Sequence, residues 1–213
     1  MDFLSDDINA YIEAHSNPES QLLSELNRET HLKVLVPRML SGHLQGRVLS
    51  MLSKMIQPKY VLEIGTYTGY SALCMAEGLQ PDGQLDSIDI NEELRPIIDR
   101  YWNKSEFKEQ LNFLTGNALE IIPTLSKKYD LVFIDADKEN YSNYYDLVIN
   151  KIPSGGYIIA DNVLWSGNVL KPELEMQEST KAIVDFNKKV HQDERVENVL
   201  FPIRDGLMVL RKK

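Results

Sequence analysis

From Tyr60 onward the chain alternates short apolar runs with amphipathic stretches, and that alternation constrains its fold more than any other feature. The runs are 60–64, 84–89, 111–115, 129–134 and 156–160, with helical-period segments near 69–79, 92–105, 117–127 and 140–151 between them. Short apolar runs read as buried strands, and strands alternating with helices build right-handed βαβ units around a parallel sheet covered on both faces. After a helix near 177–192, strands at 195–201 and 206–211 are linked by Pro202-Ile203-Arg204-Asp205-Gly206. So short a link permits a hairpin and forbids a helical crossover, so the last strand should run antiparallel to its neighbour.

Residues 1 to 57 read as helices. Asn17-Pro18 has the form of a helix start, and Ser41 could cap a helix whose Leu44, Val48, Leu52, Met55 and Ile56 recur at helical spacing. No repeat, low-complexity tract or linker interrupts the 213 residues, a length that suits one α/β domain over 1–213 with a full core. A net charge of -9 argues against nucleic acid as a partner, because phosphate binding wants a basic face. The lone Cys74 cannot form an internal disulfide and reads as a small core residue of a helix. No basic-plus-apolar leader is seen, and no apolar run approaches the ~20 residues of a membrane span. The expectation is a cytoplasmic chain with no membrane partner.

Three strands end in turns that carry chemistry. Ligands of open parallel sheets bind beyond the carboxyl ends of the strands, so these turns should open onto one rim. The first is Gly65-Thr66-Tyr67-Thr68-Gly69. A dinucleotide fingerprint needs glycine where Tyr67 stands, so this turn is poorly made for a diphosphate and better made for a nucleoside without phosphate. Asp89 closes the second strand, where a carboxylate can accept from both ribose hydroxyls. Glu63, read as lying at the mouth of the turn, would repel a diphosphate and attract an ammonium or sulfonium group. Together these features favour S-adenosylmethionine over NAD.

The other two turns are Asp135-Ala136-Asp137-Lys138 and Asp161-Asn162. Asp135, Asp161 and Asn162 offer three oxygens from neighbouring strand ends, a set suited to a hard cation such as Mg²⁺, with Mn²⁺ or Ca²⁺ as alternatives. Mg²⁺ takes roughly six oxygens, which would leave room for two from a chelating substrate and one from water. The other reading is that these residues cap turns, as Asp and Asn commonly do. Lys138, three residues past Asp135, is a candidate general base. Trp165, Tyr141 and Tyr144 either wall a flat aromatic substrate or serve as ordinary packing.

Val61 to Ser71, Phe133 to Tyr141 and Asp161-Asn162-Val163-Leu164-Trp165 resemble the cation-dependent class I O-methyltransferases, the family of plant caffeoyl-CoA O-methyltransferase, with animal catechol O-methyltransferase a more distant relative. The resemblance runs from about Ser41 to the C-terminus. It implies a Rossmann-like, seven-stranded, mostly parallel sheet with an antiparallel last strand and helices on both faces. It also implies a homodimer in which residues 1–57 form part of a lid and of the dimer contacts. The cofactor contacts it implies are Ser41, Glu63, Gly65, Thr66, Ser71, Asp89, Ala118 and Asp137. The implied metal ligands are Asp135, Asp161 and Asn162, the catalytic residues Lys138 and Asp135, and the substrate contacts Trp165, Ser166 and Tyr141. Ser166 stands where the plant pattern has asparagine, and residues 1–40 match loosely. The implied reaction is cation-dependent transfer of a methyl group from S-adenosylmethionine to one hydroxyl of a catechol-like small molecule. Two rival readings are an NAD-dependent oxidoreductase and a non-catalytic methyltransferase-like binding protein. An amine or nucleic-acid methyltransferase is disfavoured, since no Asn/Asp-Pro-Pro-aromatic segment follows the fourth strand.

Overall fold

The computed structural model describes residues 4–213. Seven strands form one sheet: β1 (Tyr60–Ile64), β2 (Gln84–Asp89), β3 (Leu111–Thr115), β4 (Leu131–Ile134), β5 (Tyr157–Ala160), β6 (Val196–Phe201) and β7 (Leu207–Lys212). Their order is β3-β2-β1-β4-β5-β7-β6. The first five run parallel, and β7 lies antiparallel to both β5 and β6, as the short link before it requires. Residues 129 and 130 fall outside the fourth strand. The Asp130 carboxylate there accepts from the amides of Lys59 (2.8 Å) and Tyr60 (3.0 Å), tying down the start of β1.

The sheet is covered on both faces, which is why its central strands read as unbroken apolar runs. Alternate residues serve separate cores. Val61, Leu131 and Phe133 pack with α2 (Gln21–Lys33), α3 (Gly42–Ile56), α4 (Tyr70–Ala76) and α5 (Arg95–Trp102). Leu62, Ile64, Val132 and Ile134 pack with α6 (Ala118–Thr124), α7 (Tyr141–Val148) and α8 (Glu178–Gln192). Among the described residues no helix is long and apolar enough to cross a membrane.

The N-terminal third departs from the sequence expectation in three ways. A short helix spans Asp6–Ala14, and α2 starts at Gln21 rather than at Asn17-Pro18. Ser20 is the cap, its side chain accepting from the Leu23 amide. The proline biases Asn17 toward extended backbone, and the Asn17 carbonyl bonds the His43 ring at 2.7 Å instead of opening a helix. Ser41 precedes α3 but has helical backbone angles and makes no capping bond. The apolar stripe of α3 is also not its most buried face, since Val48, Leu52 and Ile56 pack only at the edge of the core. Gln45, Gly46, Leu49, Ser50 and Ser53 are buried, whereas Met55 is 75% exposed. Small side chains let α3 approach α4 closely: a Cβ on Gly46 would lie 2.7 Å from the Tyr70 ring.

Candidate active site

Sheet register gathers the predicted residues. Ile64 pairs with both Ile88 and Ile134, and Ile134 pairs with Ala160. The next residues on each strand, Gly65, Asp89, Asp135 and Asp161, therefore share one row at the carboxyl rim. Gly65 sits at the crowded centre of that row. Its φ is 99°, and a Cβ there would lie 2.0 Å from the Asp135 carbonyl oxygen, so no side chain fits. Above the row lies a cavity of about 1670 Å³. Ser41, Gly65, Thr66, Ser71, Asp89, Ala118 and Asp137 all line it, and so do Asp135, Lys138, Asp161, Asn162, Trp165 and Ser166.

On the β1–β2 side the glycine turn is filled from within. One Asp89 carboxylate oxygen accepts from the amides of Thr66 (2.9 Å) and Tyr67 (2.8 Å), and the other from Asn91 (2.9 Å). Successive amides that converge like this form a nest for an anion. Here the anion is the protein's own carboxylate, which leaves those amides committed and a pyrophosphate without its cradle. Tyr67, the residue that breaks the dinucleotide pattern, takes a left-handed φ of 51° to make this turn.

Glu63 is not at the mouth of the turn. It is wholly buried behind the cavity wall, where Ser71 and Ser87 hydroxyls donate to its two oxygens. Burial pushes its carboxyl up to about 8, and the two serine bonds oppose the shift only in part. Ser71 is thus the group that touches the cavity, and Glu63 acts through it.

On the β4–β5 side the charges are less well matched. Asp161 is buried, and both burial and the neighbouring Asp135 raise its carboxyl. Lys138 Nζ stands 3.0 Å from Asp135 Oδ1, donates to the Tyr141 hydroxyl at 2.6 Å and lies 5.8 Å from the Trp165 ring centre. Tyr141 itself is a correction to the sequence reading. It is completely buried beneath the cavity floor, stacked edge-on against Phe186, and its hydroxyl donates to the Asp161 carbonyl at 3.0 Å. It positions Lys138 and the Asp161 backbone and does not reach the space an acceptor would fill. Tyr144 lines the cavity, its hydroxyl donating to Asp137.

Asn162, Trp165 and Ser166 all have positive φ (58°, 47° and 52°), a conformation that asparagine tolerates best. The β6–β7 turn braces this strained loop. Leu164 donates to the Asp205 carbonyl at 2.9 Å, Ser166 to the Asp205 carboxylate at 2.5 Å and Val163 to the Gly206 carbonyl at 3.2 Å. Sequence reading treated residues 202–206 only as a hairpin link and missed this role, which the Asp205-Gly206 pair could have signalled. It also missed Gln45 and Arg204, both of which reach the cleft from elsewhere. The stretch from Lys33 to Ser41 covers one lip, where the Tyr67 hydroxyl donates to the carbonyls of Leu35 (3.3 Å) and Val36 (3.2 Å).

Sheet order, antiparallel seventh strand and a cleft at the carboxyl rim define a Rossmann-like S-adenosylmethionine-dependent methyltransferase fold. An SAH-bound methyltransferase from Podospora anserina, PaMTH1, superposes with a TM-score of 0.90 at 25% identity, over 98% of this chain and 94% of that one. A family model described as O-methyltransferase matches residues 13–213. The caffeoyl-CoA O-methyltransferase of Medicago sativa is 35% identical over 179 residues, covering 79% of this chain and 72% of that protein. Caffeoyl-CoA O-methyltransferase 1 of Arabidopsis thaliana is 35% identical over 225 residues, covering 98% and 85%. The chain belongs to the O-methyltransferase family and is an S-adenosylmethionine-dependent enzyme of that class.

Proposed function

We propose that this enzyme methylates one hydroxyl of a vicinal-diol aromatic small molecule, of catechol or caffeoyl type, with a divalent cation held by Asp135, Asp161 and Asn162. The observation that carries this reading is the row of strand ends. It sets two carboxylates on neighbouring strand ends, one of them raised by its burial and then by the other, in the same cavity as the Gly65–Ser71 turn. Such a pair favours a cation between them, and all-oxygen donors suit a hard one. The third donor would be the Asn162 carboxamide, which follows Asp161 and lines the same cavity. When bound, Mg²⁺ or Mn²⁺ would supply Lewis-acid polarisation of an acceptor hydroxyl, and the sulfonium of S-adenosylmethionine would supply the methyl electrophile.

The chain's own residues do the rest. Lys138, aimed by Asp135 and Tyr141, accepts the acceptor's proton. Trp165, Ser166 and Tyr144 shape the space around the acceptor ring. Ser41, Gly65, Thr66, Ser71, Asp89, Ala118 and Asp137 hold the cofactor, with Glu63 fixing the Ser71 hydroxyl from behind the cavity wall. The lip from Lys33 to Ser41, latched by Tyr67, keeps water from the methyl group. The same reading makes the protein a homodimer. Exposed Met55 on α3 lines a groove with Leu52, Ile56, Ile159 and Val209, between α3 and β5–β7, that a second copy would cover.

Metal removal tests the proposal. Chelator-treated enzyme supplied with S-adenosylmethionine and a catechol is expected to lose at least roughly 10³-fold in turnover, as several kcal/mol of polarisation implies. Added Mg²⁺ or Mn²⁺ should restore it. Full activity in chelator would refute the metal site.

A further inference from the structure

Gln45 is a polar side chain on the buried face of α3, only 1% exposed, and it reaches across the molecule to the rim. Its Nε2 donates to Asp161 Oδ2 at 2.6 Å, while the other Asp161 oxygen accepts from the Asn162 amide at 2.7 Å. Arg204 closes the far side: its guanidinium donates to Gln45 Oε1 (3.4 Å), to the Leu40 carbonyl (3.0 Å) and to the Ser41 carbonyl. A buried carboxylate with two lone pairs per oxygen can accept these bonds and still offer electrons elsewhere. Its direction is then set by the donors.

Resting on the metal-dependent reading above, we propose that Gln45 is a positioning residue for the ligand Asp161, and that Arg204 joins this ligand to the cofactor lip at Ser41. Gln45 supplies a neutral donor that fixes the carboxylate without competing with the cation. An arginine or lysine in its place would satisfy Asp161 outright and leave less charge for a metal. Arg204 holds the Leu40 and Ser41 carbonyls through bonds of its own, so the lip keeps that support when the Gln45 carboxamide is replaced.

Calorimetric titration of Mn²⁺ into the SAH-loaded full chain tests this, with SAH affinity measured separately without metal. Gln45→Met removes the donor at nearly constant volume, and Gln45→Asn keeps the carboxamide but falls one methylene short. Both are expected to bind Mn²⁺ about 10–100-fold more weakly than wild type, the usual loss when a ligand's supporting partner is removed. Metal-free SAH affinity should stay within about twofold, with the melting temperature near wild type. If Gln45→Met does not fold, Gln45→Asn decides. Unchanged Mn²⁺ affinity would overturn the assignment. Parallel losses in Mn²⁺ and SAH affinity would overturn it too, by making Gln45 a packing residue. Wild type that binds no Mn²⁺ while Asp161→Ala behaves identically would instead sink the metal reading itself.

Discussion

The two halves of the cleft solve opposite electrostatic problems. On the β1–β2 side every carboxylate has its own partners: Asp89 is held by three amides and Glu63 by two serine hydroxyls. On the β4–β5 side Asp135 and Asp161 end neighbouring strands, with Lys138 Nζ 3.0 Å from Asp135 and a neutral carboxamide on Asp161. The first half is preformed and needs only a shape to bind. The second leaves negative charge over, which is what a cation site requires before its cation arrives. The difference separates the sulfonium cofactor from the proposed metal along one strand-end rim.

Breaking the second half should cost most in turnover. Lys138→Ala is expected to lower kcat by ~10²–10⁴-fold, the span of a positioned general base, while SAH affinity stays nearly constant. Steady-state kinetics beside calorimetry would show this split, and wild-type turnover would remove Lys138 from proton transfer. Breaking the first half should do the reverse. Asp89→Ala is expected to weaken SAH binding by about 1.5–3 kcal/mol, roughly 10–100-fold, since it removes a charged acceptor. The turn amides of Thr66 and Tyr67 would also lose their partner, so added phosphate or NAD becomes a useful control ligand for that variant.

The smallest effect separates the halves by pH. The Glu63 carboxyl stands at about 8, above its ordinary 4.5, so the folded protein retains a proton that the unfolded chain releases. Stability tied to that proton is complete below about 4.5 and is lost progressively as pH rises toward about 8. Melting curves between pH 5 and 8 should therefore fall for wild type relative to Glu63→Gln, which cannot ionise. Parallel curves would show that Glu63 is ionised throughout.

Much of this cleft was readable before any coordinates. Apolar runs that stop at Gly65, Asp135 and Asp161 announce both the strands and their rim, because a buried strand cannot end in a carboxylate without reason. The hairpin after Phe201 followed from link length alone. What could not be read was whatever depends on crossing between distant elements. Gln45 lies beside the apolar stripe of its helix rather than in it, since small residues rather than large ones pack α3 onto α4. Sequence reading places Glu63 and Tyr141 at the cavity, and the structure buries both behind it. Glu63 lies on β1 and Tyr141 at the start of α7, and only the packing of Ser71, Ser87 and Phe186 against them decides which way each side chain points.

The central claim is that acceptor and metal meet through two adjacent oxygens. Turnover of catechol and of phenol, each with S-adenosylmethionine and with or without Mg²⁺, tests it most directly. The account expects methyl transfer to catechol only when Mg²⁺ is present and none above background to phenol, because a single hydroxyl cannot chelate. Equal rates on the two acceptors, or transfer to catechol that ignores the metal, would contradict it.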